Sequence, residues 1–146
     1  LKDLDPDWAE SAVPAAPQFD KSRILELEMP PYVSLKVGID PATVAVTPEG
    51  VVRYVAVAVN RNGTQSATYE GIRCLTGEVR TYARFEASGR WAEVKGSTWQ
   101  PLNGNQPSKH ALAFSRQAAC EGRAVGGGTN AGEIVYRLKY PPLRTP

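Results

Sequence analysis

The sequence contains one histidine, one methionine and two cysteines in 146 residues. One histidine and two cysteines cannot supply the four Cys/His ligands of a structural zinc site, so no metal and no other cofactor is expected. No run approaches the ~20 apolar residues that a membrane-spanning helix needs. A leading methionine and an apolar leader are also missing, which is the pattern of an exported chain after signal-peptide removal, or equally of a trimmed one. Gly126-Gly127-Gly128 is no phosphate cradle: it has neither the G-x-G-x-x-G spacing nor the Lys-Ser/Thr of a P-loop, and it reads as a flexible linker. The aromatic pattern of RNA-binding sheets is absent, so no nucleic-acid partner is expected.

A chain of this length suits one domain that buries roughly 70% of its unfolded surface. Its 42% hydrophobic and 22% charged residues are ordinary for a soluble globular protein. The net charge of +2 conceals an asymmetry. Asp3, Asp5, Asp7, Glu10, Asp20, Glu26 and Glu28 face only Lys2, Lys21 and Arg23 among residues 1–30, whereas bases outnumber acids in residues 31–146. Prolines 6, 14, 17, 30 and 31 make the acidic stretch an extended arm. It could lie solvated, dock on the basic body, or meet a partner.

From residue 32 the texture becomes β. "YVSLKVGI" (32–39) and "ATVAV" (42–46) flank an Asp40-Pro41 turn, and "VVRYVAVAVN" (51–60) reads as a central strand covered on both faces. Asn62-Gly63 predicts a type I′ hairpin with φ > 0 at both residues, returning through "SATYEGIRC". In "GEVRTYARFEA" (77–87), strict alternation puts Val79, Thr81, Ala83 and Phe85 on one face, with Arg80, Tyr82 and Arg84 on the other. "RWAEV" (90–94) completes an antiparallel meander. Pro107-Ser108 predicts a helix capped by Ser108 and running to about Cys120. "EIVYRLKY" (133–140) fits a strand face of Ile134, Tyr136, Leu138 and Tyr140, but Asn130 with Glu133 would instead start a helix. The expected fold is α+β: an antiparallel sheet of about five strands with one packed helix, residues 31–146, preceded by the arm of residues 1–30.

Two kinds of chemistry are open. Glu70, His110 and an arginine (Arg73, Arg80 or Arg84) are the carboxylate base, imidazole acid and phosphate clamp that a small secreted ribonuclease-like phosphodiester hydrolase needs. A Cys–His protease would need a free thiolate, and two cysteines in a chain of exported character favour a bridge instead. The stronger reading is binding. Arg80, Tyr82 and Arg84 on one strand, with Tyr69 and Arg73 on the preceding one, are residue types that contribute most at protein interfaces.

"GVVRYVAVAVNRNGTQSATYEGIRCLTGEVRTYARF" resembles the core of the cryptic neisserial protein-like family, small exported proteins of Gram-negative bacteria. The most specific element is Tyr69-Glu70-Gly71-Ile72-Arg73-Cys74 after a Val52-Arg53-Tyr54 strand, with Trp91, His110 and Cys120 following in order. The likeness covers residues 31–122. Where the family pattern has a second histidine beside the first and a proline after the second cysteine, this chain has Lys109 and Glu121. The resemblance implies a Cys74–Cys120 disulfide and export to the periplasm, and it brings no activity, substrate or cofactor. The expected role is a non-enzymatic periplasmic accessory protein, a subunit that binds a protein partner in the cell envelope.

Overall fold

The structure, a computed structural model, describes residues 7–31, 35–104, 109–126 and 130–141. It is a mixed α+β fold built on one antiparallel sheet. The strands are β1 (Leu25–Glu26), β2 (Lys36–Ile39), β3 (Ala45–Val46), β4 (Val51–Val59), β5 (Gln65–Arg73), β6 (Glu78–Phe85), β7 (Trp91–Glu93) and β8 (Gln100–Pro101). They pair in the order β1-β2-β4-β5-β6-β7, with β3 on the end of β4 and β8 on the end of β6. The run of β-branched residues in β4 is buried on both faces, as its continuous apolarity requires. The helical layer on one face consists of α1 (His110–Phe114), a following π-helical turn (Ser115–Ala119) and α2 (Ala131–Lys139). On the other face lies the N-terminal segment. The chain is thus a sheet between two covers.

The helix-side core gathers Val37, Ile39, Val52, Tyr54, Ile72 and Val79 under Phe114, Ala118 and Ile134. Tyr54 and Phe114 are fully buried and meet edge to face at 4.6 Å, a pair of large side chains whose burial contributes ~1.5–3 kcal/mol each. The opposite core holds Val55, Val57, Ala67, Tyr69, Tyr82 and Ala83, closed by Val13, Ala16 and Phe19 of the N-terminal segment. That segment is pinned at its base by Asp40. Its buried carboxylate accepts from Arg23 Nε (2.7 Å) and Nη2 (2.9 Å) and from the Asp20 amide (2.8 Å). Burial pushes the Asp40 carboxyl up, but these donors outweigh it and hold it below the usual range.

Several local expectations change. The 62–63 hairpin forms, but Gly63 alone takes positive φ (85°). The chain turns across Asn60–Gly63, with the Gly63 amide donating to Asn60 O at 3.0 Å and Asn62 Oδ1 accepting from the Thr64 amide at 2.9 Å. In "ATVAV" only Ala45–Val46 is strand, because Asp40 caps a 3₁₀ turn over Pro41–Thr43. The helix expected to reach Cys120 stays α-helical only to Phe114. Ser115 Oγ donates to Leu112 O at 2.7 Å, a local bond that competes with the helical ladder, and Cys120 is already extended in the small hairpin β9 (Cys120–Glu121) and β10 (Ala124–Val125). Ser108, the expected cap, lies outside the described residues, as do Gly127, Gly128 and residues 32–34. Residues 131–139 are a helix. Asn130 caps it, accepting from the Gly132 amide at 2.8 Å, and Ile134 is its buried residue.

Candidate functional site

Glu70 sits mid-strand on β5, where alternation points it at the helical layer. Its register partners are Tyr54 on β4 and Thr81 on β6. Tyr54 Oη donates to Glu70 Oε1 at 2.6 Å, and Thr68 Oγ1 donates to Oε2 at 2.9 Å. His110, the first residue of α1, places Nε2 at 2.8 Å from Oε2. Glu70 is 4% exposed. Burial pushes its carboxyl up, yet the His110 charge and the three hydrogen bonds hold it below the ordinary value. For His110 burial acts downward, and the Glu70 carboxylate overrides it and raises the imidazole. The two therefore form a buried ion pair. Burial also pushes the Tyr54 phenol well up, so it remains a donor.

The opposite face is cationic and occupied. Glu10 lies between Arg53 Nη2 (2.9 Å), Arg80 Nη1 (2.9 Å) and the Tyr82 hydroxyl, which donates to it in a very short bond. Arg53 also donates to the carbonyls of Ser11 (2.8 Å) and Ala12 (3.3 Å). The Trp8 ring lies 3.7 Å from the Arg73 guanidinium carbon, its Nε1 donates to Glu49 O at 3.1 Å, and Trp99 closes its edge. Ser11 gives its amide and hydroxyl to Glu49 Oε2 at 2.7 and 2.6 Å. Gly71 makes this packing possible. A Cβ there would sit 2.9 Å from both Tyr82 Cζ and Val51 Cγ1, so the Tyr82 ring crosses β5 only where there is no side chain.

Tyr69, Arg73, Arg80 and Tyr82 are therefore brought together on one face. Arg84 is not. A β-bulge between Tyr69 and Glu70 leaves Tyr82 as the extra residue of β6, pairing Tyr69 with Ala83 but Glu70 with Thr81. Beyond it the alternation inverts: Ala83 and Phe85 join Arg80 and Tyr82, while Arg84, opposite Thr68, projects on the His110 side. The expectation that Arg80, Tyr82 and Arg84 share a face opposite Val79, Ala83 and Phe85 is overturned by that one inserted residue. Of the arginines named beside Glu70 and His110, Arg73 and Arg80 lie across the sheet from that pair, whereas Arg84 lines the same cavity. Cys74 and Cys120 are bridged, with Cα atoms 5.6 Å apart, so neither offers a thiolate. Sequence reasoning missed Trp8, Glu10, Tyr54 and Arg53. Arg53 carried a signal: a lone charge within an otherwise apolar strand needs a buried counter-charge.

Among the described residues, no group of three or more His, Cys, Asp or Glu gathers in a metal-binding arrangement, and no helix is long and apolar enough to cross a membrane. A small α+β sheet protein with one disulfide, a buried carboxylate–imidazole pair and a cationic aromatic face closed by its own N-terminal segment is the class that fold and site define. The chain belongs to the CNP1-like family, whose profile matches residues 3–139. It is similar to cryptic neisserial protein 1 of Neisseria gonorrhoeae (strain ATCC 700825 / FA 1090), at 28% identity over 76% of this chain and 62% of that protein. The chain thus spans less than two thirds of that relative's length. No solved structure matches.

Proposed function

We propose that this is an exported, non-enzymatic accessory protein of the cell envelope that binds a protein partner through the Arg53–Arg73–Arg80–Tyr82 face. The recognised element is an extended segment with an aromatic residue two positions before a carboxylate. The observation that carries this reading is the occupant already there: Trp8 on Arg73 and Glu10 among three donors, two side chains of one short extended stretch. Two buried guanidinium groups are a costly way to seat a permanent cover, because apolar residues of similar volume stabilise as well or better. They are suited to selecting a carboxylate through charge-assisted bonds. The disulfide fits an oxidising compartment such as the periplasm.

Acid–base hydrolysis is the poorer account. Glu70 and His110 are bonded to each other rather than poised on either side of a substrate: His110 Nε2 lies 2.9 and 2.8 Å from the two Glu70 carboxylate oxygens, so each group's reactive atom is occupied by the other. The test uses a labelled peptide of sequence DWAESA. Fluorescence anisotropy should show saturable binding to the full chain carrying Trp8→Ala with Glu10→Gln, and loss when Arg80→Ala is added. No binding to the Trp8/Glu10 variant, with its fold intact by circular dichroism, would refute the reading.

A further inference from the structure

On the helix side, a cavity of about 230 Å³ opens between the sheet and the start of α1. The ionised Glu70–His110 pair forms its polar floor, and Leu35, Val37, Ala58 and Ala111 supply apolar wall. Arg84 stands in the same lining, opposite Thr68 across the strand pair. Arg84 is exposed, and among the described residues its guanidinium has no ion pair and no hydrogen-bond partner, unlike Arg23, Arg53 and Arg80. The charges are simple to sum: Glu70 and His110 cancel, and the guanidinium leaves the cavity with one positive charge. From the convergence of an unpaired guanidinium, apolar walls and this small volume, we propose that the cavity is a binding site for a compact organic monocarboxylate with an apolar body.

The chemistry selects each part of that description. A planar carboxylate matches the guanidinium fork with two parallel hydrogen bonds, which a point cation would not require. A dianion would bring its second charge toward the Glu70 carboxylate, so one negative charge is favoured over two. The apolar walls remove a hydrocarbon body from water. The volume is below the roughly 300–1,000 Å³ of pockets for drug-sized ligands, so a single ring or a short branched chain is the right size. This site lies across the sheet from the peptide face and does not depend on it.

The probes are benzoate, 3-methylbutanoate, benzyl alcohol and inorganic phosphate, titrated into the intact protein and followed by amide NMR shifts. Saturable shifts at His110, Ala111 and residues 66–70 are expected for the two carboxylates. Benzyl alcohol, which keeps the ring without the charge, and phosphate, which keeps charge without the apolar body, should bind about tenfold more weakly or not at all. Arg84→Gln should weaken benzoate by about tenfold, the loss of one bidentate charge-assisted contact. Ala58→Leu should block binding sterically while leaving every charge in place, and both variants are checked for an unchanged melting profile. The proposal is overturned by no saturable benzoate shift in the intact protein, by phosphate binding as well as benzoate, or by undiminished benzoate binding to folded Arg84→Gln.

Discussion

Alanine at Gly71 would force apart Tyr82 and Val51, whose atoms would meet the new Cβ at 2.9 Å. Overpacking of this kind costs ~1–3 kcal/mol, and Gly71→Ala should lower the urea midpoint accordingly. Combining it with Tyr82→Phe removes the atom that clashes most, so the double variant should lose less than the sum of the two. Additive losses would show that the ring does not cross β5 as described. The Glu70–His110 pair makes a second residue-scale prediction. Removing one partner of a buried ion pair costs ~3–5 kcal/mol, so His110→Ala should be strongly destabilised in denaturant titration. The pH dependence has a definite sign. His110 is raised above 6.5 on folding, so its contribution is complete below 6.5 and is lost as pH climbs through the raised value. Glu70 is held below 4.5, so its contribution is complete above 4.5 and is lost as pH falls through the depressed value. The intact protein should therefore lose stability on the alkaline side of this window more steeply than His110→Ala. Parallel pH profiles would contradict the pairing. The sequence grouped Glu70 with His110 as base and acid of one site, but not as partners bonded to each other, because 40 residues and a layer crossing separate them.

At the scale of elements, the sequence carried more than a strict two-residue alternation could reveal. β4, β5 and the antiparallel meander follow from apolar runs and turn residues, and they formed where expected. β6 shows why faces are harder than strands: the bulge inserts Tyr82 and sends Arg84 to the side opposite Arg80, and a single sequence has no mark for such an insertion. α2 illustrates the reverse. Ala131, Ile134, Val135 and Leu138 recur at helical spacing and all pack on the helix-side core, a period as visible in the sequence as the alternating Ile134, Tyr136, Leu138 and Tyr140. Burial chose between them, leaving Tyr136 and Tyr140 exposed. α1 and its π-helical turn are short and have no side-chain cap, and the disulfide ties the end of the turn to the end of β5. Closing a loop of 46 residues contributes about 4 kcal/mol in the chain-entropy description. Intact mass after alkylation without reductant should show no modified cysteine, and Cys74→Ser with Cys120→Ser should melt several degrees lower. Two alkylated thiols would contradict the bridge.

For the whole molecule, the acidic arm and basic body read from composition meet in one chain. Glu10 neutralises Arg53 and Arg80, Arg23 neutralises Asp40, and the apolar residues Val13, Ala16 and Phe19 seal the sheet between these anchors. The prolines serve this docking: an already extended segment loses less backbone freedom when it lies along a sheet. The consequence is a protein with one face covered by its own segment and one face bearing an open cavity. If the covering stretch is the local equivalent of a partner's, it should yield to competition while the sheet beneath remains folded. Hydrogen exchange read by mass spectrometry on the intact chain, with and without excess DWAESA peptide, tests this most directly. Faster exchange confined to residues 8–13 is expected when peptide is present, with β4, β5 and β6 protected as before. Unchanged exchange at residues 8–13 under saturating peptide would contradict it.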